Sequence, residues 1–302
     1  MIAEPGTPTL DQLKVLVTVA DTGSFAAAAR KLNRATSVIS YSIANLEAQL
    51  GLSLFDRVST RKPQLTEAGR MALAEARTVI HGVDSLRAKS KGMLQGLESE
   101  LHIVLDTLLP EYRVVDALTS FRAQFPTVTL HLSIESLGAV TKLVMDRIAT
   151  IGVAGPLISV DEIEKIGVGS VRMVPVAAPT HPLATAANNP PGAGREHVQL
   201  VLADRSDLTR GRDIAVVGTS TWRLADLGSK HMLLKAGIGW GNMPEPMIAP
   251  DLAAGRLVQL QMPDSIGGDY IMDAIYRADT PPGPAGAWLI ERFRQQALRP
   301  VN

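Results

Sequence analysis

The chain of 302 residues contains no cysteine. That absence excludes disulfides, thiolate metal sites, a nucleophilic thiol and a thiol-based redox switch. No uninterrupted apolar run reaches the roughly 18 residues that a transmembrane helix needs. The opening "MIAEPGTPTLDQ" has neither the basic nor the apolar region of a secretory signal, so a cytoplasmic location is expected and no membrane partner. The six histidines, at positions 81, 102, 131, 181, 197 and 231, form no H-x-H or H-x-x-x-H pair, so neither a metal site nor a cofactor is expected. A P-loop, a nucleophile elbow and a G-x-G-x-x-G following a strand are also missing. "GIGWG" (237–241) follows a helical pattern and is soon bounded by Pro244, which makes it a poor nucleotide loop. An enzyme is therefore not expected.

What is present is an ordinary globular composition, 46% apolar and 20% charged, on a chain long enough for two or three domains. The net charge is zero but unevenly divided. Residues 1–97 hold 12 Lys/Arg against 8 Asp/Glu, and residues 98–302 hold 18 against 22. A basic first part on an acidic remainder points to nucleic acid as the partner of the first part alone.

Local signals organise that first part. Thr9 and Gln12 have capping-box spacing, Leu13, Leu16, Val17 and Ala20 make an apolar stripe, and Gly23 suits a left-handed cap. Ser24 can cap a second helix, "FAAAARKL", whose alanines allow close packing. After the turn at Asn33-Arg34, Ile39, Ile43, Leu46 and Leu50 lie on one face of a third helix. Its opposite face carries Ser37, Ser40, Tyr41 and Ala44, which are small or hydroxyl-bearing where a solvated face would carry Lys and Glu. This is a helix-turn-helix pattern.

Gly51 closes the third helix. In "LSLFDRVSTRKPQLT", apolar Leu54, Phe55, Val58 and Leu65 flank a turn, which predicts a two-stranded wing carrying Arg57, Arg61 and Lys62. Such a hairpin either contacts phosphates or is simply solvated. A long helix is predicted from Thr66 to about Gln95, with Leu73, Ala76, Ile80 and Val83 in coiled-coil spacing. Its cover is a second subunit or the chain's own C-terminal part. Beyond residue 98, strands and helices alternate. "LHIVLDT", "VTLHLSI" and "IATIGVAG" are predicted strands with helices between them, followed by a second series that includes "VRMVPVAAP", "VQLVLAD", "DIAVVG" and the helix "LADLGSKHMLLKAG". Two linked α/β subdomains with a cleft are expected, with ligands seated beyond strand ends near helix N-termini. Thr107 lies at one such end and either caps its helix or holds an anion, with Leu108 beside it. Ser136 and Leu137 hold the corresponding place after the second strand. In "TSTWRLADLGSKH", Trp222 and Arg223 either line the cleft or, for Arg223, pair with a neighbour such as Asp226.

The stretch from Leu10 to Arg70, with its "GSF-AAA-L" start of helix two, its "S-I-LE--LG--LF-R" run and its terminal "LTEAG", resembles the N-terminal signature of LysR-type transcriptional regulators. "THPLA" (180–184), "GIGWGNMP" (237–244) and "DLAAGRLVQL" (251–260) resemble elements of that family's effector-binding domain. The resemblance implies a winged helix-turn-helix over 1–65, a dimerising linker helix over 66–97 and a periplasmic-binding-protein-like α/β effector domain over 98–302. Within the last, one subdomain comprises 98–170 and 268–302 and the other 171–267.

The resemblance also implies roles. Thr36, Ser37, Ser40 and Tyr41 would meet base edges or phosphates in the major groove. Arg30 or Lys31, with Arg34, would take phosphates, and Arg57, Arg61 and Lys62 would add affinity from the wing. Where the family usually begins its recognition helix with Ser-Gln, this chain has Ala35 and Thr36. Thr36 either contacts a base or serves as N-cap, so the operator should differ from the common type. The chain also has Thr150 where the family most often has Asp. In the effector cleft, Ala203, Val217, Gly218 and Met243 fall at matching positions of the second subdomain. The expected protein is a DNA-binding regulator that recognises an interrupted palindrome on double-stranded DNA as a homodimer or tetramer, controlled by a small molecule such as an organic acid. The alternative is a solute-receptor-like binding protein with no DNA role.

Overall fold

The computed structural model describes residues 6–56, 63–94, 96–156, 160–210 and 215–297. The chain divides into two compact units, 1–91 and 92–302, and no described helix is long and apolar enough to cross a membrane.

In the first unit the caps form where the local signals place them. Helix α1 (Leu10–Thr22) starts on a reciprocal capping box: the Thr9 hydroxyl accepts from the Gln12 amide, and the Gln12 side chain accepts from the Thr9 amide. Helix α2 (Phe25–Leu32) starts on Ser24 and stops at Asn33, which adopts φ 54°. Helix α3 (Thr36–Leu50) stops at Gly51. Val15, Leu16, Val19, Ala28, Ala29, Ile39, Ile43 and Leu46 make one buried core. The two alanines let the helices approach closely, and that approach fixes the direction in which α3 presents its other face.

Strands β1 (Phe55–Asp56) and β2 (Gln64–Leu65) pair antiparallel as the base of the wing; Arg57, Arg61 and Lys62 lie outside the described residues. Glu47 at the end of α3 accepts the amides of Leu54 and Phe55 and so ties the wing to the recognition helix. Helix α4 (Glu67–Leu94) follows. Thr66 caps its first turn by accepting from the Gly69 amide, and its hydroxyl donates to the Ser53 carbonyl. Leu73 packs on the helix-turn-helix core and Ala76 is buried in it, so the first half of the expected seam is spent within the unit.

The second unit holds one nine-stranded mixed sheet, ordered β4-β3-β5-β11-β6-β9-β7-β8 with β10 beside β6. In chain order its elements are β3 (Glu100–Asp106), α5 (Glu111–Gln124), β4 (Thr129–Glu135), α6 (Gly138–Met145), β5 (Ile151–Ala154), β6 (Ile163–Ala177), α7 (Pro182–Thr185) and β7 (Gln199–Leu202). Then come β8 (Thr221–Leu224), α8 (Leu227–Lys235), β9 (Trp240–Pro244), α9 (Glu245–Ala253), β10 (Val258–Gln259), β11 (Gly268–Arg277) and α10 (Pro284–Ala297). Strands β3, β4 and β5 are parallel, as the β-α-β-α-β pattern implies. The long strands β6 and β11 pair antiparallel with each other and run through both halves, so the division expected at 170/171 falls inside β6. The predicted strand "DIAVVG" is not formed at 215–218. The Gln199 side chain holds that segment instead, accepting from the Val217 and Gly218 amides and donating to the Ala215 carbonyl, and the strand that pairs with β7 comes later, at β8.

Gly69 is the tightest joint of the first unit. A Cβ there would lie 2.0 Å from the Leu54 carbonyl oxygen. Gly69→Ala should therefore push the wing off the base of α4 and destabilise the first unit by about 1–3 kcal/mol, read by chemical denaturation. Gly82→Ala, at a position with open space around it, is the control and should be neutral or slightly stabilising.

Candidate functional site

The face of α3 turned away from the core is made of Thr36, Ser37, Val38, Ser40, Tyr41 and Ala44, all exposed. Tyr41 stands 69% exposed. Ala35 is the N-cap and makes no side-chain capping bond, so Thr36 is the first helical residue and is not spent as a cap. Arg30 and Lys31, in the last turn of α2, are exposed as expected. Arg34 is already engaged: its two terminal nitrogens donate at 2.7 and 2.8 Å to the carboxylate of Asp11 on α1. That guanidinium holds the Asp11 carboxyl below the usual range. A phosphate at Arg34 would have to compete with an internal carboxylate, which the sequence pattern had not shown.

A second concave site lies in the C-terminal unit. A cavity of about 780 Å³ is lined from one half by Leu108 and Leu137 and from the other by residues 199–204, 215–217, Lys230 and Asn242, with 264–270 along its border. Of the expected residues, Leu108, Leu137, Ala203 and Val217 line it. Thr107, Ser136, Gly218 and Met243 do not, each for an identifiable reason. The Thr107 amide donates to the Glu135 carbonyl, and α5 begins only at Glu111, so Thr107 does not stand at the start of the helix that follows it. The Ser136 hydroxyl donates to the Ala203 carbonyl across the cleft. The Gly218 amide is taken by Gln199. Met243 is fully buried, paired in register with Val174. Arg223 lines the cavity, whereas Trp222 is not among its lining residues; Asp226 serves as the N-cap of α8.

Both strand-end positions at which an external anion was expected are filled by carboxylates of the chain itself. Asp106, buried at the end of β3, accepts from the Leu108 amide at 2.9 Å and from the Tyr270 hydroxyl at 3.2 Å. Burial pushes its carboxyl up to about 6. Asp204, just beyond β7, reaches across to the start of α6, where its two oxygens accept from the Gly138 and Ala139 amides at 3.1 Å each. The same carboxylate accepts from the Ser206 amide and hydroxyl and from the Thr209 hydroxyl. Next to it Arg205 lies 3.6 Å from Glu135. Residues 203, 204 and 205 thus all bind 135–139, and the exposed N–H groups of a helix terminus are satisfied internally.

Among the described residues of the cavity wall, the buried cation is Lys230, on α8. Leu227 and Leu234 at i−3 and i+4 are in the core, which places Lys230 on the buried side of its helix. It is 5% exposed, and its Nζ donates to the Asn242 carbonyl at 2.7 Å. Among the described residues no carboxylate lies within ion-pair distance of it. An ammonium carries three donors, so a carbonyl alone leaves its charge uncompensated. Burial lowers its pKa to about 8.

Comparison with known proteins places both parts of the chain in a family. The profile of the bacterial regulatory helix-turn-helix protein, lysR family, matches residues 10–70, and that of the LysR substrate binding domain matches residues 94–298. The chain is 31% identical over 253 residues to the HTH-type transcriptional activator AllS of Klebsiella pneumoniae, covering 82% of this chain and 93% of that protein. It is 30% identical over 302 residues to the probable HTH-type transcriptional regulator YhaJ of Escherichia coli, covering 94% and 95%. The chain belongs to the LysR family.

This LysR-type regulator also shares its fold with solved structures. Full-length LysG of Corynebacterium glutamicum with bound effector Arg matches with TM-score 0.51 at 22% identity, over 97% of this chain and 100% of that one. An OxyR mutant from the same organism matches with TM-score 0.54 at 22% identity, over 97% and 95%. The chain is thus a DNA-binding transcriptional regulator with a substrate-binding domain for an effector, as the sequence resemblance implied, and the receptor without a DNA role is not favoured. LysR-type regulators as a class bind DNA and small-molecule effectors and form oligomers.

Sequence reasoning missed Asp204, Gln199, Lys230 and Asp11. The Leu227/Lys230/Leu234 spacing did signal a lysine on a buried helix face. The other three act through partners distant in sequence or through side-chain geometry that no local pattern announces.

At about 1.4 kcal/mol per pKa unit, keeping Lys230 charged at pH 7 costs on the order of 3 kcal/mol. Its folded pKa lies below the free value, so its stability contribution climbs as pH rises from about 8 towards 10.5. Lys230→Met should therefore stabilise the effector-free protein at pH 7 by about 1–3 kcal/mol and flatten the stability profile between pH 8 and 10.5. Thermal or urea unfolding across that range checks both.

Proposed function

We propose that this LysR-type regulator reads an interrupted palindromic operator through α3, acts in the cytoplasm as a homodimer or tetramer, and responds to an organic acid in its C-terminal cavity. The observation that carries the DNA half is the exposed hydroxyl face of Thr36, Ser37, Ser40 and Tyr41, on a helix whose other face is locked by Ile39, Ile43 and Leu46. Short hydroxyl side chains reach base edges and phosphates without the desolvation cost of a carboxylate. Arg30 and the wing residues Arg57, Arg61 and Lys62 supply the sequence-independent part, and Arg34 joins them if phosphate displaces Asp11. Oligomerisation through α4 is supported by its exposed Met71, Val79 and Leu86, apolar side chains that a second copy of the helix would cover.

The acid is inferred from Lys230. A carboxylate there supplies the counter-charge that the fold withholds, while Leu108, Leu137, Leu200 and Val201 cover an apolar body. A cavity of this size suits a small metabolite. The ligand biases the relative placement of the two halves, and DNA is sensed through the subunit arrangement that follows. The chain is read as a regulator and not an enzyme, a reading supported by its regulator relatives.

The DNA reading is tested by electrophoretic mobility shift with the protein's own promoter region. Wild type should retard it with an affinity that falls steeply with salt. Ser40→Glu combined with Tyr41→Glu, both on exposed positions that leave the core intact, should lower affinity by about 100-fold or more; unchanged binding would remove α3 as the reading helix. The acid reading is tested by a thermal-shift screen of small carboxylates with their amides as neutral counterparts. A carboxylate that stabilises the protein at pH 7 should bind about tenfold more weakly at pH 9, because the Lys230 ammonium, with its pKa near 8, is by then largely neutral. Equal affinity at both pH values, or equal shifts by acid and amide, would rule out the counter-ion role.

A further inference from the structure

Among the described residues strand β4 lies at the edge of the sheet, with β3 as its neighbour. The parallel register sets His102 of β3 directly opposite His131 of β4, and Glu100 lies two residues before His102 on the same face. Side chains two apart on a strand share a face, and neighbouring strands lie about 4.8 Å apart. The two imidazoles accordingly stack with centroids 4.3 Å apart and planes 10° from parallel. Their Nε2 atoms turn to one carboxylate oxygen, Glu100 Oε2, at 3.5 Å from His102 and 3.7 Å from His131. The three candidate ligand atoms all lie within 4.8 Å of one another. All three side chains are about half exposed, so an ion can reach them from solvent. Sequence spacing hid the group, since the histidines are 29 residues apart and only the strand register joins them.

We propose that Glu100, His102 and His131 form a divalent transition-metal site, with Zn²⁺ as the ion it fits best. Imidazole nitrogen and carboxylate oxygen are ligands that zinc accepts in a four-coordinate arrangement, here with solvent in the fourth position. Bonds of about 2.0–2.1 Å place neighbouring tetrahedral ligands about 3.3 Å apart. Glu100 Oε2 already lies 3.5 and 3.7 Å from the two nitrogens, and the half-exposed, nearly parallel rings must tilt so that both lone pairs converge on the ion. A divalent ion satisfies both nitrogens and the carboxylate at once. Bound there, it pins the exposed edge strand β4 to β3, next to the segment 135–139 that receives Asp204 and Arg205.

The test is isothermal titration of the chelator-treated full-length protein with ZnCl₂, alongside thermal unfolding with and without the metal. Wild type should bind one equivalent at micromolar free zinc and unfold at a higher temperature when loaded. His102→Ala and His131→Ala should each weaken binding by more than about tenfold and abolish the thermal shift. His197→Ala, which alters the His181–His197 ring pair elsewhere in the chain, should leave both unchanged. The mutated side chains are exposed, so unfolding curves without metal verify that the variants fold. Absence of binding at up to millimolar zinc would overturn the proposal, as would wild-type affinity in both His102→Ala and His131→Ala.

Discussion

The C-terminal domain depends on the seat of one carboxylate. Asp204 sits on the first two amides of α6, of which Ala139 also donates to the Ser136 carbonyl, and is held from behind by Ser206 and Thr209. Each charge-assisted bond is worth about 1.5–3 kcal/mol where solvent is partly excluded, and the start of a helix favours a negative charge in addition. With Ser136 on the Ala203 carbonyl and Arg205 near Glu135, that seat makes a clasp of three consecutive residues across the cleft. It also decides where a ligand charge can go. The helix terminus is already occupied, Asp106 has closed the turn at the end of β3, and of the wall's described cations, Arg210, Arg223 and Lys230, Lys230 is the buried one.

Clasp and lysine work against each other in a way that suits a switch. The clasp stabilises the arrangement in which the two halves meet; Lys230 destabilises the same fold, because its charge is buried with a carbonyl for company. An anion that neutralises Lys230 removes that penalty only in the arrangement that wraps it. Differential binding of this kind is what shifts a population between two arrangements. The strands that cross between the halves, β6 and β11, pair antiparallel with one register shift between Ile271 and Asp273, so a change of arrangement is carried by their twist, by that irregularity and by loops such as 203–210.

Legibility in the sequence followed interaction range. Thr9, Ser24, Asn33 and Gly51 act within a few residues of themselves, and each element of the helix-turn-helix could be placed from them. The α3 faces were equally readable, because 3.6-residue periodicity sorts Ile39, Ile43 and Leu46 from Ser40 and Tyr41 without tertiary information. The effector cleft was readable only in outline. Thr107 and Gly218 looked available because their real partners, Glu135 and Gln199, lie 28 and 19 residues away. The strand expected at "DIAVVG" has good β composition, but the Gln199 side chain takes the amides of Val217 and Gly218, and β8 takes the place beside β7. Arg34 looked like a free cation because Asp11 belongs to another helix.

The clasp requires that the Asp204 carboxylate hold the first amides of α6. Backbone amide hydrogen exchange of Gly138 and Ala139, resolved by NMR on the effector-free protein, measures it directly. Both amides should be strongly protected in wild type; in Asp204→Ala the Gly138 amide should exchange much faster and that of Ala139, which also donates to the Ser136 carbonyl, faster by a smaller factor, while amides in the middle of β6 keep their protection. Fast exchange of Gly138 and Ala139 in wild type, or equal protection in Asp204→Ala, would contradict the clasp and the placement of ligand charge at Lys230 that follows from it.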